Sequence, residues 1–248
     1  MNTQLVGISF IQLSEIDSTN MALKNKLNQE NVPEGLVVAT EYQTLGRGQF
    51  GNSWESKRGV NLLFSTVFYP KFLKLNESYR LTMSVCLGIC DFLEGLNFQA
   101  QIKWPNDILL EGKKVSGTLL ESSLNSRSFE YIVVGIGLNV NQLSFIQKTA
   151  ISLRQISNEE YVLEDLYESL FACLSARYKE LRADGQAQQQ VFNKKLYGQE
   201  QRVPIFWRDT EHWVFCRGVN PQGNLLVEFM DGSFQLFKHK EISFPLKA

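Results

Sequence analysis

The run Tyr131-Ile132-Val133-Val134-Gly135-Ile136-Gly137-Leu138-Asn139-Val140 most limits what this chain can fold into. Ten residues without a charge read as a fully buried strand. Gly135 and Gly137 invite close approach by a neighbouring backbone or a ligand. Other elements gather around this strand. Phe10 to Leu13 is a short strand, Leu36 to Tyr42 a strand-like run and Val60 to Phe68 a buried strand. Leu81, Val85, Ile89, Phe92 and Leu93 have helical spacing and predict a central helix within Glu77 to Leu96. Leu163, Leu166, Leu170, Leu174, Tyr178 and Leu181 form one stripe of an amphipathic helix, which is core by default. Gln186 to Leu196 reads as another helix.

Three short segments carry candidate chemistry. The first is Gly46-Arg47-Gly48-Gln49-Phe50-Gly51-Asn52-Ser53-Trp54-Glu55-Ser56, placed after the strand-like run. Glycines let backbone N–H groups turn toward an anion, and arginine adds a fixed cation, so the loop suits a phosphate or a carboxylate. No Gly-Lys-Ser/Thr ends it and no G-x-G-x-x-G leads into a helix, which excludes a Walker A loop and a dinucleotide fingerprint. By itself the loop also fits an ordinary flexible connection. The second segment is Lys103-Trp104-Pro105-Asn106-Asp107, then Lys113-Lys114-Val115-Ser116-Gly117. Pro105-Asn106-Asp107 is turn chemistry, Ile108 to Leu110 a strand, Glu111-Gly112 a tight turn and Val115 to Leu120 the returning strand. This hairpin carries Asp107 at one end and Lys114 just past its tip, a pattern that also fits a turn with surface lysines. The third segment, Asp17-Ser18-Thr19-Asn20, precedes the helix-prone stretch Met21 to Gln29. It reads as an N-cap, and a cap leaves N–H groups facing outward, where a ligand can also meet them.

Composition narrows the function. The chain has 248 residues, 44% hydrophobic and 21% charged, with a net charge of −1. That is a soluble globular composition without the electrostatic footprint of a nucleic-acid binder. No run of roughly 18 apolar residues predicts a membrane span. The first residues lack a signal-peptide pattern, which predicts a cytoplasmic protein. Cys86 and Cys90, four residues apart, fit core packing better than metal ligation, since no histidine or second cysteine pair accompanies them. The two histidines, His212 and His239, lie far along the chain from the motifs. Chemistry there must run on Arg, Lys, Asp, Asn and backbone amides. From Gln201 onward short strands alternate with turns (Val203 to Trp207, His212 to Val219, Leu225 to Phe229, Phe234 to Phe237), which suggests a small barrel of roughly 50 residues.

The ordered set of Asp17-Ser18-Thr19-Asn20, the glycine loop with Trp54, Lys103-Trp104-Pro105-Asn106-Asp107, Lys114-Val115-Ser116-Gly117 and Gly135-Ile136-Gly137-Leu138-Asn139 resembles the biotin protein ligase family over nearly the whole chain. The resemblance implies an α+β fold. A mixed β-sheet flanked by helices, as in class II synthetases and lipoate ligases, occupies residues 1–197, and an SH3-like barrel occupies 198–248. It implies formation of biotinyl-5′-AMP from biotin and ATP with magnesium (Mg2+), then transfer of biotin to a lysine of a biotin carboxyl carrier protein. With the charge and hydropathy above, no nucleic-acid or membrane partner is expected, and the protein is expected to be a monomer or homodimer. A ligand motif that begins at Asp17 is expected to leave no room for the DNA-binding domain of some relatives.

On this resemblance Lys114, Arg47 and Asp107 are the catalytic candidates. Lys114 and Arg47 offset the repulsion between a carboxylate and the α-phosphate, and Asp107 holds the metal. Biotin falls to Ser18, Thr19, Asn20, Gln43, Gly46, Arg47, Gly48, Lys114 and Gly117, with Ser18, Thr19 and Gln43 on the ureido ring, which needs neutral donors and acceptors. The nucleotide falls to Arg47, Gln49, Trp54, Lys103, Asn106 and Asn139, with Trp54 either covering the adenylate or anchoring the core. The family often shows arginine where this chain has Gln49 and Asn52. A lipoate or fatty-acid ligase on the same fold and a non-catalytic biotin sensor stand as alternatives.

Overall fold

A computed structural model describes residues 4–245. Seven strands form a mixed sheet: β1 (Phe10–Leu13), β2 (Val37–Thr40), β3 (Leu62–Phe68), β4 (Gln101–Lys103), β5 (Asp107–Leu110), β6 (Lys113–Leu124) and β7 (Phe129–Leu138). Their order is β1-β2-β3-β7-β6-β5-β4, and only β1 and β2 run parallel. The glycine-bearing run is the centre of this sheet. Side chains alternate along it, so its two faces are lined by different residues.

Ile132, Val134, Ile136 and Leu138 of β7 join a large core with Leu62, Phe64 and Phe68 of β3. Two helices cover that face: α2 (Tyr79–Gly95), buried along the predicted stripe, and α4 (Leu163–Lys194). A short α3 (Leu153–Ser157), closed by a Ser152/Gln155 capping box, precedes α4. Cys86 and Cys90 are fully buried in this core, as their spacing suggested, and burial pushes the Cys86 thiol up to about 12. The two helices expected in the α4 region are its two halves. Asp184 leaves helical geometry (φ −152°, ψ 85°), and its carboxylate accepts the N–H groups of Gln186 and Ala187, which restarts the helix.

The opposite face carries one helix, α1 (Thr19–Gln29), over a small cluster of Leu23, Val38, Val67 and Val133. Beyond α1 this face has little apolar cover. Cross-strand pairing explains why. Ser65, Gly135 and Leu119 form one row across β3, β7 and β6, and Leu63, Gly137 and Gly117 form the next. Three of these six residues are glycine. Asp107 of β5 pairs with Gly117 and extends the second row.

The remaining strands, β8 (Val203–Trp207), β9 (Thr210–Val219), β10 (Leu225–Glu228) and β11 (Phe234–Phe237), form an antiparallel sheet in the order β11-β10-β9-β8. Its inner residues Val203, Ile205, Val214 and Cys216 belong to the same continuous core as α2 and α4. Trp104 donates its indole N–H to Gly223 O at 2.8 Å, and the Tyr79 hydroxyl donates to Pro105 O at 2.5 Å. The terminal sheet therefore packs on the turn that carries Asn106 and Asp107.

Candidate active site

The bare face of the sheet is an open cleft of about 440 Å³, counting its solvent-filled mouth. Ser18, Thr19 and Asn20 enter it from the start of α1, Gln43 from the segment that follows β2, Arg47 from the glycine loop, and Asn106, Lys114 and Gly117 from the hairpin. Gly135 and Gly137 form its floor. Side chains on those two positions would collide with what lies above. A Cβ at Gly135 would lie 2.3 Å from Asn20 Oδ1, and one at Gly137 2.3 Å from Trp54 Cε2. The glycines thus admit the amide of Asn20 and the indole of Trp54 against bare backbone. Ser18 occupies the N-cap position of α1, yet its side chain makes no capping hydrogen bond.

The cavity has a neutral end and a charged end. At the neutral end the Thr19 N–H donates to Gln43 Oε1 at 2.9 Å, and the Thr19 hydroxyl lies 3.1 Å from the same oxygen. At the charged end Asp107 sits between two ammonium groups, Lys114 Nζ at 2.6 Å from Oδ1 and Lys103 Nζ at 2.8 Å from Oδ2. Burial alone would raise the Asp107 pKa, but the two lysines outweigh it and hold the carboxyl below the usual carboxylate range. Arg47 is exposed at the rim.

A second cavity, with about 360 Å³ of empty space, adjoins the first. Ser53, Glu55, Asn139, Phe145, Gln147 and Ala150 line it together with Trp54 and Lys114, which line both cavities. Asn139 donates from Nδ2 to Ile151 O at 3.1 Å, which ties the 149–151 segment to the site. Its Oδ1 is buried with no hydrogen-bond partner among the described residues, so an acceptor is left beside this cavity. Lys114 Nζ lies 5.4 Å from the centre of the Trp54 ring, within cation–π reach.

Most residues expected at the site converge there. Gly46, Gly48, Gln49, Lys103 and Asp107 stand behind the cavity walls instead. Gly46 keeps the loop close, since a Cβ there would meet Trp54 O at 2.8 Å. The Gln49 side-chain oxygen is buried without a hydrogen-bond partner among the described residues. Asp107, expected to hold magnesium, has both carboxylate oxygens engaged by lysines. Two ammonium groups in contact repel a divalent cation, so the residues present do not fit a magnesium ion on Asp107. Among the described residues no group of three or more His, Cys, Asp and Glu is placed to hold a metal. The role that fits Asp107 is alignment of Lys114. Ser65 and Glu121, absent from the expected set, stand directly behind Thr19 and Asn20. The signal for Ser65 was a polar residue inside an otherwise buried strand, which needs a partner.

Residues 13–139 match the Biotin/lipoate A/B protein ligase family. The bifunctional ligase/repressor BirA of Escherichia coli is 30% identical over 251 residues, covering 97% of this chain and 75% of that protein. The bifunctional ligase/repressor BirA of Bacillus spizizenii is 31% identical over 191 residues, covering 75% of this chain. The chain spans 58% of the length of that relative. The biotin protein ligase from Aquifex aeolicus, solved in complex with biotin and ATP, superposes with a TM-score of 0.78 at 25% identity, covering 97% of this chain and all of that one. The mixed sheet with its flanking helices is the fold of those ligase structures, and the small antiparallel sheet at the end is consistent with an SH3-like domain.

Proposed function

The chain belongs to the biotin/lipoate A/B protein ligase family, and from that premise we propose that it activates biotin with ATP to biotinyl-5′-AMP and transfers the biotin to a lysine of a biotin carboxyl carrier domain. The observation that carries this reading is the shared wall of the two cavities. One cavity ends in neutral donors and acceptors on a glycine floor, the other holds the free acceptor of Asn139, and Lys114 lines both. A carboxylate reaching from the first cavity and an α-phosphate from the second meet at the Lys114 ammonium.

Both reactants are anions. Lys114, held by Asp107, supplies a fixed cation where charge shifts as the carboxylate attacks phosphorus and pyrophosphate leaves. Arg47, on a glycine-rich segment, adds a second cation from the rim. Gln43 and Thr19 hold the ureido head without a charge penalty, and Trp54 covers the junction. The second step requires a neutral lysine from the carrier, and anionic AMP is a good leaving group. Residues 198–248 are read as a second unit that steadies the Trp104–Asp107 turn through Gly223. Among the described residues no helix is long and apolar enough to cross a membrane.

The reading is tested by ATP–pyrophosphate exchange with biotin, lipoate and octanoate in parallel, followed by transfer to a purified carrier domain. Biotin-dependent exchange and labelling of one carrier lysine are expected. Exchange with lipoate or octanoate but not biotin would replace this reading with a lipoate or fatty-acid ligase. Binding of biotin with no exchange would replace it with a sensor.

A further inference from the structure

Behind the neutral end of the cavity, five side chains form a directed chain of hydrogen bonds. Glu121 on β6 accepts from Asn20 Nδ2 at 2.8 Å and from Lys24 Nζ at 2.8 Å. The flipped amide would set Asn20 Oδ1 against the carboxylate, so Glu121 fixes the amide with its oxygen toward Ser65. Ser65, fully buried on β3, lies 2.6 Å from Asn20 Oδ1 and 2.7 Å from Thr19 Oγ1. An amide oxygen carries no proton, so Ser65 must donate to Asn20. Its single proton is then committed, and the Thr19 hydroxyl proton has two acceptors in reach, Ser65 Oγ at 2.7 Å and Gln43 Oε1 at 3.1 Å, of which the shorter contact to Ser65 is the stronger. With its proton on the shorter contact, Thr19 turns lone pairs toward the cavity. Gln43 keeps Oε1 on the Thr19 N–H, which leaves its NH2 as the exposed donor. An acceptor now stands beside a donor, the complement of a cyclic urea with its N–H next to C=O.

We propose that Glu121 and Ser65, neither of which lines the cavity, are positioning residues that set the donor–acceptor polarity of this wall and so select a cyclic urea over dithiolane or alkyl head groups. The proposal rests on the biotin reading above. Gly135 belongs to the same device, because it is the cross-strand partner of Ser65 and leaves the space that Asn20 Oδ1 occupies.

The test uses the full-length enzyme and three variants, Ser65→Ala, Glu121→Ala and Glu121→Gln. Steady-state exchange is measured with biotin, with desthiobiotin, which keeps the urea but lacks the second ring, and with ATP varied. In Ser65→Ala and Glu121→Ala, KM for biotin and desthiobiotin is expected to rise roughly 5- to 100-fold, the range set by leaving one buried polar group unpaired. The KM for ATP moves much less, and the loss falls on KM rather than kcat. Glu121→Gln keeps an acceptor and gives up the charge, so its loss is smaller than that of Glu121→Ala. Equal losses for biotin and ATP, or an unchanged biotin KM in both alanine variants, would overturn the proposal. Should Ser65→Ala fail to fold, Glu121→Ala, at a partly exposed position, decides alone. A wild-type enzyme with no biotin-dependent exchange would instead sink the biotin reading itself.

Discussion

The two walls of the site are built on opposite principles. The sheet wall is fixed: Ser65 is fully buried, Asn20 is 3% exposed, and each hydrogen bond there is answered by another side chain. The loop wall from Thr44 to Arg58 is largely exposed, and its hydrogen bonds are mostly backbone or solvent-exposed contacts. These include Leu45 N to Asp17 O at 2.9 Å, Trp54 N to Gly46 O at 3.0 Å and Gly48 N to Asn52 O at 2.7 Å. The fixed wall bears the neutral groups and the loop brings Arg47. A neutral ring is recognised by geometry, which a rigid surface holds without further ordering. The charge of Arg47 sits on the exposed segment, and ligand binding is expected to offset the entropy of ordering it.

The largest expected effect tests where the walls meet. Lys114→Ala should lower pyrophosphate exchange roughly 100- to 1,000-fold while biotin affinity, measured calorimetrically on the same preparation, changes far less. Near-normal exchange would remove Lys114 from the charge-stabilising role. Next comes the fixed wall. Gly137→Ala sets a methyl group where the Trp54 indole lies and should weaken biotin binding by roughly tenfold, within the usual cost of overpacking a dense site. Unchanged affinity would mean that the floor has slack. The loop wall should respond to ligand. Limited proteolysis between Thr44 and Arg58 is expected to slow several-fold with biotin and ATP present, and equal cleavage would make both walls equally fixed. The smallest effect concerns Gln49. A charge-assisted bond is about twice as strong as a neutral one, worth on the order of 1 kcal/mol here. Gln49→Arg should therefore slow dissociation of preformed biotinyl-5′-AMP several-fold. Identical release rates would show that another cation already serves that function.

Much of the fixed wall was legible in the sequence because its parts are local. Gly135 and Gly137 stand out in an apolar run, and Ser18, Thr19 and Asn20 stand where a helix must begin. The partners that give those residues direction were not legible. Ser65 matters because it pairs with Gly135, 70 positions away, and nothing adjacent to either residue announces that register. Glu121 looks like an ordinary polar residue at the end of a strand until Asn20 is laid on it. The surroundings of Asp107 were hidden for a similar reason. A lone acidic residue in a turn suits a cation, and only the closed hairpin shows that Lys103 and Lys114 already serve as its cations. The strand β4 and the helix α3 escaped notice because three and five residues are too few to express a period.

The glycine floor also gives the molecule an optical property. Of the four tryptophans, Trp104 is packed in the core and Trp207 and Trp213 belong to the terminal sheet. Trp54 alone stands at the site. Its indole lies on the backbone of Gly137, with Nε1 buried and without a hydrogen-bond partner among the described residues and the Lys114 ammonium nearby. Emission from an indole shifts with the polarity around it and is quenched by a close charge. Any movement of the loop off the strand changes both conditions together. With the other three tryptophans replaced by phenylalanine, the protein would report the position of its own loop through the colour and intensity of one side chain, with no label attached.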